Sequence, residues 1–293
     1  SWNKPANVTQ FKIEYSSDNG NSWTSIEGLG TADGFVETTD GGSTTVSYTF
    51  STLNGNTDYI IRASYSTSST EPYTYGASSQ SSVLTFPPKV VGLAPTTGTI
   101  TTSGFTLSWT HITNVQNGDF VGYYVEQSDD NGANWTNITP TDGLDETTNS
   151  LDVSDLDDDT VYLFRVKAEN ASGEGNWSDN LTVETLESAP VISINTQVST
   201  PTNDTTPSFT LTSDKAGTIE ITSSHNPVIS LSSNTVNSGN TTFTFNTLAA
   251  GTYNVTVQVT NSDGEASNTA TLDEFEIDTS APQFFSGEVP NAG

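Results

Sequence analysis

Apolar residues recur at every second position through most of this chain. In the middle third they run Phe105-x-Leu107-x-Trp109, then Tyr123-x-Val125, then Tyr162, Phe164, Val166 and Ala168, then Leu181-x-Val183. In the last third they run Phe209-x-Leu211, Ile219-x-Ile221, Phe243-x-Phe245 and Val255-x-Val257-x-Val259. A period of two puts these side chains on one face of a strand and polar ones on the other. Gly, Asn and Asp interrupt the runs about every ten residues, where tight turns need backbone conformations that these residues tolerate. The pattern predicts an all-β chain of many short, half-buried strands.

One hairpin occurs twice, about 110 positions apart. The first copy is Phe11-x-Ile13-x-Tyr15-Ser16-Ser17-Asp18-Asn19-Gly20-Asn21-Ser22-Trp23-Thr24, and the second is Tyr123-x-Val125-x-Gln127-Ser128-Asp129-Asp130-Asn131-Gly132-Ala133-Asn134-Trp135-Thr136. Each is an alternating strand, an Asn-Gly turn and a second strand opened by Trp. Residues 87–187 give the pattern in full. A Pro-led edge strand from Pro87 comes first, then Trp109, the hairpin, Leu156 six positions before Tyr162, and Val166-x-Ala168-x-Asn170 ahead of Gly173. That order resembles a fibronectin type III domain, in which a Trp ends strand B and the Leu…Tyr pair fastens the corner between strands E and F. Asp158 stands where the family has Pro. Residues 1–86 repeat the order with Trp2, Leu53, Tyr59, Ile61 and Ala63, but without strand A and most of strand B. The resemblance implies that Trp2 and Trp109 are buried at equivalent positions and that Tyr59 and Tyr162 sit at equivalent corners.

Residues 188–279 follow another order. Leu248-Ala249-Ala250-Gly251-Thr252-Tyr253 and the turn Asn261-Ser262-Asp263-Gly264 resemble the corner and the F–G turn of bacterial immunoglobulin-like domains. Residues 280–293 resemble a first strand, since Pro282 to Val289 parallels Pro87 to Pro95. They read as the start of a further domain or as a donor strand for the open first repeat of a neighbouring copy. The chain contains no Met, so Ser1 is expected to be an internal residue of something longer. A covalent array is the preferred account, because so short a tail replaces strand A but not strand B as well.

Composition narrows the partners. The net charge is −28, from 35 acidic against 7 basic residues, which disfavours nucleic acid and insertion into an anionic membrane. With 32% hydrophobic residues the chain is lean, as several small domains are. Cys is absent, which excludes disulfides and thiolate metal sites. No apolar run is long enough to span a bilayer.

Candidate chemistry is sparse. Ser16-x-Asp18-x-Gly20-x-Ser22-Trp23 resembles the Asp-box of sialidases, but propeller blades recur at about 40–50 residues, and the box is itself a structural hairpin. His111 and His225 fall in different domains and adjoin no nucleophile motif. The run Asp155, Asp157, Asp158 and Asp159 reads as a solvated turn. Asp204, Asp263 and Asp278, placed at domain junctions, are the calcium candidates; a cation there would neutralise repelling carboxylates. Nine Asn-x-Ser/Thr sequons occur, among them Asn170, about as many as chance gives with 26 Asn and 88 Ser or Thr. Tyr65, Tyr73 and Tyr75 are the candidates for an exposed aromatic cluster at a loop end.

The sequence therefore reads as tandem β-sandwiches in an extended rod: a fibronectin III-like domain over 1–86, another over 87–187, an immunoglobulin-like domain over 188–279, and a further strand over 280–293. The expected role is structural and non-enzymatic: a segment of an extracellular filament, surface layer or adhesin stalk, partnered by copies of itself or by neighbouring domains of the same long chain. No cofactor is required. The alternative is a glycan-binding adhesin or an accessory module of a secreted polysaccharide-degrading enzyme.

Overall fold

The computed structural model describes residues 1–28, 31–112, 120–223 and 229–280. His225 and the segment from Pro282 to Val289 lie outside the described residues. The described chain is all-β apart from a single 3-10 turn at Thr31–Asp33, and no helix in it is long and apolar enough to cross a membrane. It divides into two compact units. The first comprises Ser1–Ile100, Gly104–Asp155 and Val161–Glu184; the second comprises Thr101–Ser103, Leu156–Thr160 and the chain from Thr185 onward.

The first unit holds two sandwiches. In residues 1–86 one sheet has the order Trp2–Asn3, Ser43–Tyr48, Phe35–Asp40. The other has the order Thr24–Gly28, Gln10–Ser16, Asp58–Ser66, Ser79–Leu84. Phe11, Ile13, Phe35 and Val46 fill the space between them, with Trp2, Tyr48, Phe50 and Ile61 packed against that core. In the second sandwich Phe105–Ser108 lies between Ser150–Val153 and Ala94–Pro95. The facing sheet centres on Phe120–Ser128 paired with Val161–Asn170. The alternation read from the sequence sets this core: Tyr123, Val125, Phe164, Val166 and Ala168 are buried, while Glu126, Arg165 and Lys167 point outward.

The two sandwiches share one register. Trp2 pairs with Val46, and the Trp109 amide bonds the Asn149 carbonyl at 3.0 Å, the matching position four residues before Val153 as Val46 is before Phe50. Both indole N–H groups are buried without a partner of normal hydrogen-bond geometry. The corner tyrosines match as well: Tyr59 and Tyr162 are both buried, and the Tyr59 hydroxyl accepts the Asn54 amide at 3.0 Å. Trp2, however, is only half-buried, whereas Trp109 is 4% exposed. Val83 is 43% exposed and its counterpart Val183 only 4%. The cause is the cover: buried Val90, Phe105 and Leu107 have no counterpart among residues 1–86. The Pro-led edge strand from Pro87 also pairs less than expected. Its regular ladder is confined to Ala94–Pro95, joined by a bond from the Thr110 amide to the Val91 carbonyl at 2.9 Å, because Pro87, Pro88 and Pro95 bring no amide to share.

In the second unit, Ser208–Ser213 lies between Ile192–Thr196 and Gly239–Thr244, and Gly217–Ser223 pairs with Val255–Thr260 in a second sheet. Phe209, Leu211, Phe243, Phe245, Val257 and Phe275 build the core. The Tyr253 hydroxyl donates to the Ala249 carbonyl at 2.8 Å, so the corner read from Leu248 to Tyr253 is present.

Candidate functional site

The outer sheet faces of the first unit concentrate its basic and aromatic side chains. Arg62 stands directly across the strand pair from Glu14, and Arg165 from Glu126. Arg62 Nε donates to Glu14 at 2.7 Å while its guanidinium lies 3.8 Å from the centre of the Trp23 ring system. Arg165 repeats the arrangement: Nε donates to Glu126 at 2.8 Å, and the guanidinium sits 3.9 Å from Trp135 and 4.4 Å from Trp177. Lys12 lies over Tyr75 and Lys167 over Trp177, both at 4.6 Å. The ring quadrupole and the carboxylate hold each cation from two sides. The Arg62 bond holds the Glu14 carboxyl below its ordinary value against the opposing effect of burial.

These contacts decide the place of Trp23 and Trp135. They open their strands just after the turn and lie on the sheet, as their position in the repeated hairpin implies. Tyr75 is drawn to the same surface: its hydroxyl donates to Glu27 at 2.8 Å, and burial followed by that bond raises its pKa. Tyr65 packs on the core of the first sandwich, and Tyr73 is half-buried. Trp177 was not singled out in the sequence, although it follows the F–G turn and faces the strand that carries Arg165.

The Asp-box-like turns are structural locks. Asp18 Oδ1 accepts the Ser16 hydroxyl at 2.7 Å and the Ser22 amide at 2.8 Å. Asp130 accepts the Ser128 hydroxyl and the Asn134 amide at the same 2.8 Å. Their pKa values fall to about 2, for Asp18 chiefly through the Ser22 hydroxyl and for Asp130 chiefly through the Asn134 amide. Asn19 and Asn131 take the left-handed conformation with φ of 58° and 59°, followed by Gly20 and Gly132 at 86°.

The calcium candidates are exposed and do not converge. Asp204 Oδ1 accepts the Thr206 amide at 2.8 Å, and Asp278 Oδ1 accepts the Ser280 amide at 2.8 Å. The Asp278 amide bonds the Thr202 carbonyl, so Asp204 and Asp278 share one end of the domain. Asp263 is in the F–G turn, where it accepts the Glu187 amide at 2.7 Å. Among the described residues no three His, Cys, Asp or Glu side chains gather to hold a metal ion. His111 is half-buried and bonds the Glu146 carbonyl. Asp158, the departure from the fibronectin pattern, accepts Lys215 Nζ and the Ser188 amide, each at 3.0 Å. The Ser188 bond and then Lys215 hold its pKa well below the carboxylate range.

Two of the clefts in the first unit border residues 1–86. One of about 310 Å³ opens between the sheets of the first sandwich, lined by Trp2, Ile13, Phe50, Ile61 and Val83. The other, about 390 Å³, is lined by Asn54, Gly55, Pro88, Lys89 and His111.

The fibronectin type III family model matches residues 93–184, and the bacterial Ig-like domain model matches residues 191–279. The chain carries a fibronectin type III domain followed by a bacterial Ig-like domain. Trp109, Tyr162 and the outward Arg165 all fall within the fibronectin type III match, and Tyr253 and Asn261 within the Ig-like one. Both are non-catalytic fold types, and bacterial Ig-like domains are typical of surface or extracellular proteins. No curated protein matches the sequence. Among solved structures, a chain described as "Myokine structure" is similar at 20% identity over 34% of this chain and 99% of that one, with a TM-score of 0.28, too low to carry an argument.

Proposed function

We propose that this chain is a structural segment of a large extracellular filament, surface layer or adhesin stalk, joined to neighbouring domains of the same long chain or to copies of itself. The observation that carries this reading is the tied linker Phe86-Pro87-Pro88. The Asn56 amide of the E–F turn donates to the Phe86 carbonyl at 2.9 Å, and a Cβ on Gly55 would come within 2.8 Å of the Pro88 nitrogen. A short linker with two Pro, fastened to the turn beside it, restricts the domain that follows. The basic and aromatic side chains serve the same end, because each indole face that meets a guanidinium is closed to a sugar ring.

The test compares structural and glycan-binding roles. On a glycan array the intact chain is expected to give background signal, and a Trp135→Ala variant the same. Binding that disappears in Trp135→Ala at unchanged melting temperature would overturn the structural reading in favour of an adhesin or an enzyme accessory module.

We propose no required cofactor. Calcium at Asp204, Asp263 or Asp278 would meet too few carboxylates, since among the described residues no three acidic side chains gather to hold a metal ion. Adding a chelator is therefore expected to leave the melting temperature unchanged. A fall of several degrees, restored by calcium, would establish a cation site by mass action.

A further inference from the structure

The F–G turns of the fibronectin and Ig-like domains each place one buried asparagine against the end of the domain before it. In the first unit this is Asn170, 1% exposed. Its Oδ1 accepts the Ser172 amide at 2.9 Å, which shapes its own turn. Its Nδ2 donates to the Thr85 carbonyl at 2.8 Å and to Asn56 Oδ1 at 3.0 Å, both in the preceding repeat. Ser172 adds a hydroxyl bond to the Leu84 carbonyl at 2.6 Å. The approach is close enough that a Cβ on Gly175 would lie 2.6 Å from the Pro87 carbonyl oxygen.

The second unit repeats the arrangement. Asn261 Oδ1 accepts the amides of Asp263 at 3.1 Å and Glu265 at 2.8 Å. Its Nδ2 donates to the carbonyls of Glu187 at 3.1 Å and Ser188 at 3.2 Å. The receiving turns are also alike. Asn56 and Asp159 have positive φ, 51° and 48°, and each amide bonds the carbonyl that leaves the last strand, Phe86 at 2.9 Å and Leu186 at 3.2 Å. Thr57 and Thr160 amides bond the hydroxyls of Thr85 and Thr185, each at 3.0 Å.

We propose that the F–G asparagine is the coupling residue of this array: its oxygen folds its own turn, and its amide nitrogen binds acceptors, mostly main-chain carbonyls, at the junction with the preceding domain. The inference rests on the structural role proposed above and names the contact that performs it. Three of the four acceptors are main-chain carbonyls, those of Thr85, Glu187 and Ser188, and the fourth is the Asn56 side-chain oxygen, so the contact depends little on the side chains of the linker. A carboxamide is needed because it donates and accepts at once. An aspartate at the same place keeps the acceptor for its own turn, loses the donor, and sets a negative charge against carbonyl oxygens. Glycosylation of the Asn170 sequon is incompatible with this contact, since the same nitrogen would carry the sugar.

Amide hydrogen exchange on the intact chain separates the two duties. Asn170→Asp is expected to speed exchange at Asn56 and Thr57 by about tenfold or more, with the Ser172 amide still protected. Asn261→Asp should do the same at Asp159 and Thr160, with Asp263 and Glu265 still protected. Asn170→Ala, which removes both functions, should release Asn56 and Ser172 together. Exchange at Asn56 and Thr57 within about twofold of the wild type in both Asn170 variants, with the tryptophan fluorescence transition intact, would overturn the proposal. That failure would leave the structural reading standing, whereas glycan binding lost in Trp135→Ala would overturn the structural reading and leave the coupling contact standing.

Discussion

Replacing Trp109 with alanine is expected to destabilise the first compact unit by about 3–5 kcal/mol, the usual range for removing a large buried aromatic. Trp109 is 4% exposed, and its ring lies 5.4 Å from that of Tyr123. Tyr123 in turn packs at a tilt against Phe120 at 4.9 Å and accepts the Ile112 amide at 2.9 Å through its hydroxyl. Removing the indole leaves a cavity at the point where strand B meets the central hairpin, and neither the ring pair nor the amide bond can close it. For a unit of this size each kcal/mol moves the midpoint by about 2–4 °C, so a shift of roughly 6–20 °C is expected. Tryptophan fluorescence measures it, because Trp2, Trp23, Trp135 and Trp177 remain in the same unit. A shift under about 2 °C would contradict the assigned place of Trp109 in the core.

Phe209→Ala is expected to cost the second unit a similar amount, about 3–5 kcal/mol. Phe209 is 1% exposed and packs on Phe243 at 5.6 Å and Phe245 at 5.5 Å. The unit has no Trp, and Tyr253, stacked on Phe275 at 5.4 Å, is its lone Tyr. Calorimetry together with near-ultraviolet dichroism should therefore show a transition displaced downward while the tryptophan transition keeps its midpoint. If the tryptophan signal moves by the same amount, Phe209 does not act within the second unit alone.

The sandwiches were legible in the sequence because strand alternation is local. Phe164, Val166 and Ala168 announce their buried face without reference to any partner, and Trp109, Tyr162 and Tyr253 mark places where large side chains must enter a core. The absence of strand A and most of strand B from 1–86 was legible, but Trp2 was expected to be buried like Trp109 and is only half-buried, because burial depends on cover from those strands and not on the position of the Trp itself. The contacts between side chains far apart in sequence were not legible. Asn170 and Asn261 read as turn residues because their oxygen does hold the turn; the direction of the nitrogen depends on a domain many residues earlier. Asp158 read as part of a solvated acidic run, and its partner Lys215 is distant in sequence. The stacking of Arg165 between Trp135 and Trp177 likewise depends on which strands pair, a fact that no single strand carries.

The stacked cations bear on how this molecule responds to brine. Its surface carries a net charge of −28, and the repulsion among those exposed carboxylates acts over a Debye length of about 10 Å at 0.1 M salt that shrinks to about 3 Å at 1 M. Arg62 and Arg165 are held differently: the Arg165–Glu126 pair is about four-fifths shielded from solvent, and its guanidinium touches two indole rings. Mobile ions reach such contacts poorly. Rising ionic strength therefore weakens what pushes the fold apart more than what holds these sheet faces together, and a chain built this way gains from salt where one relying on exposed ion pairs would lose.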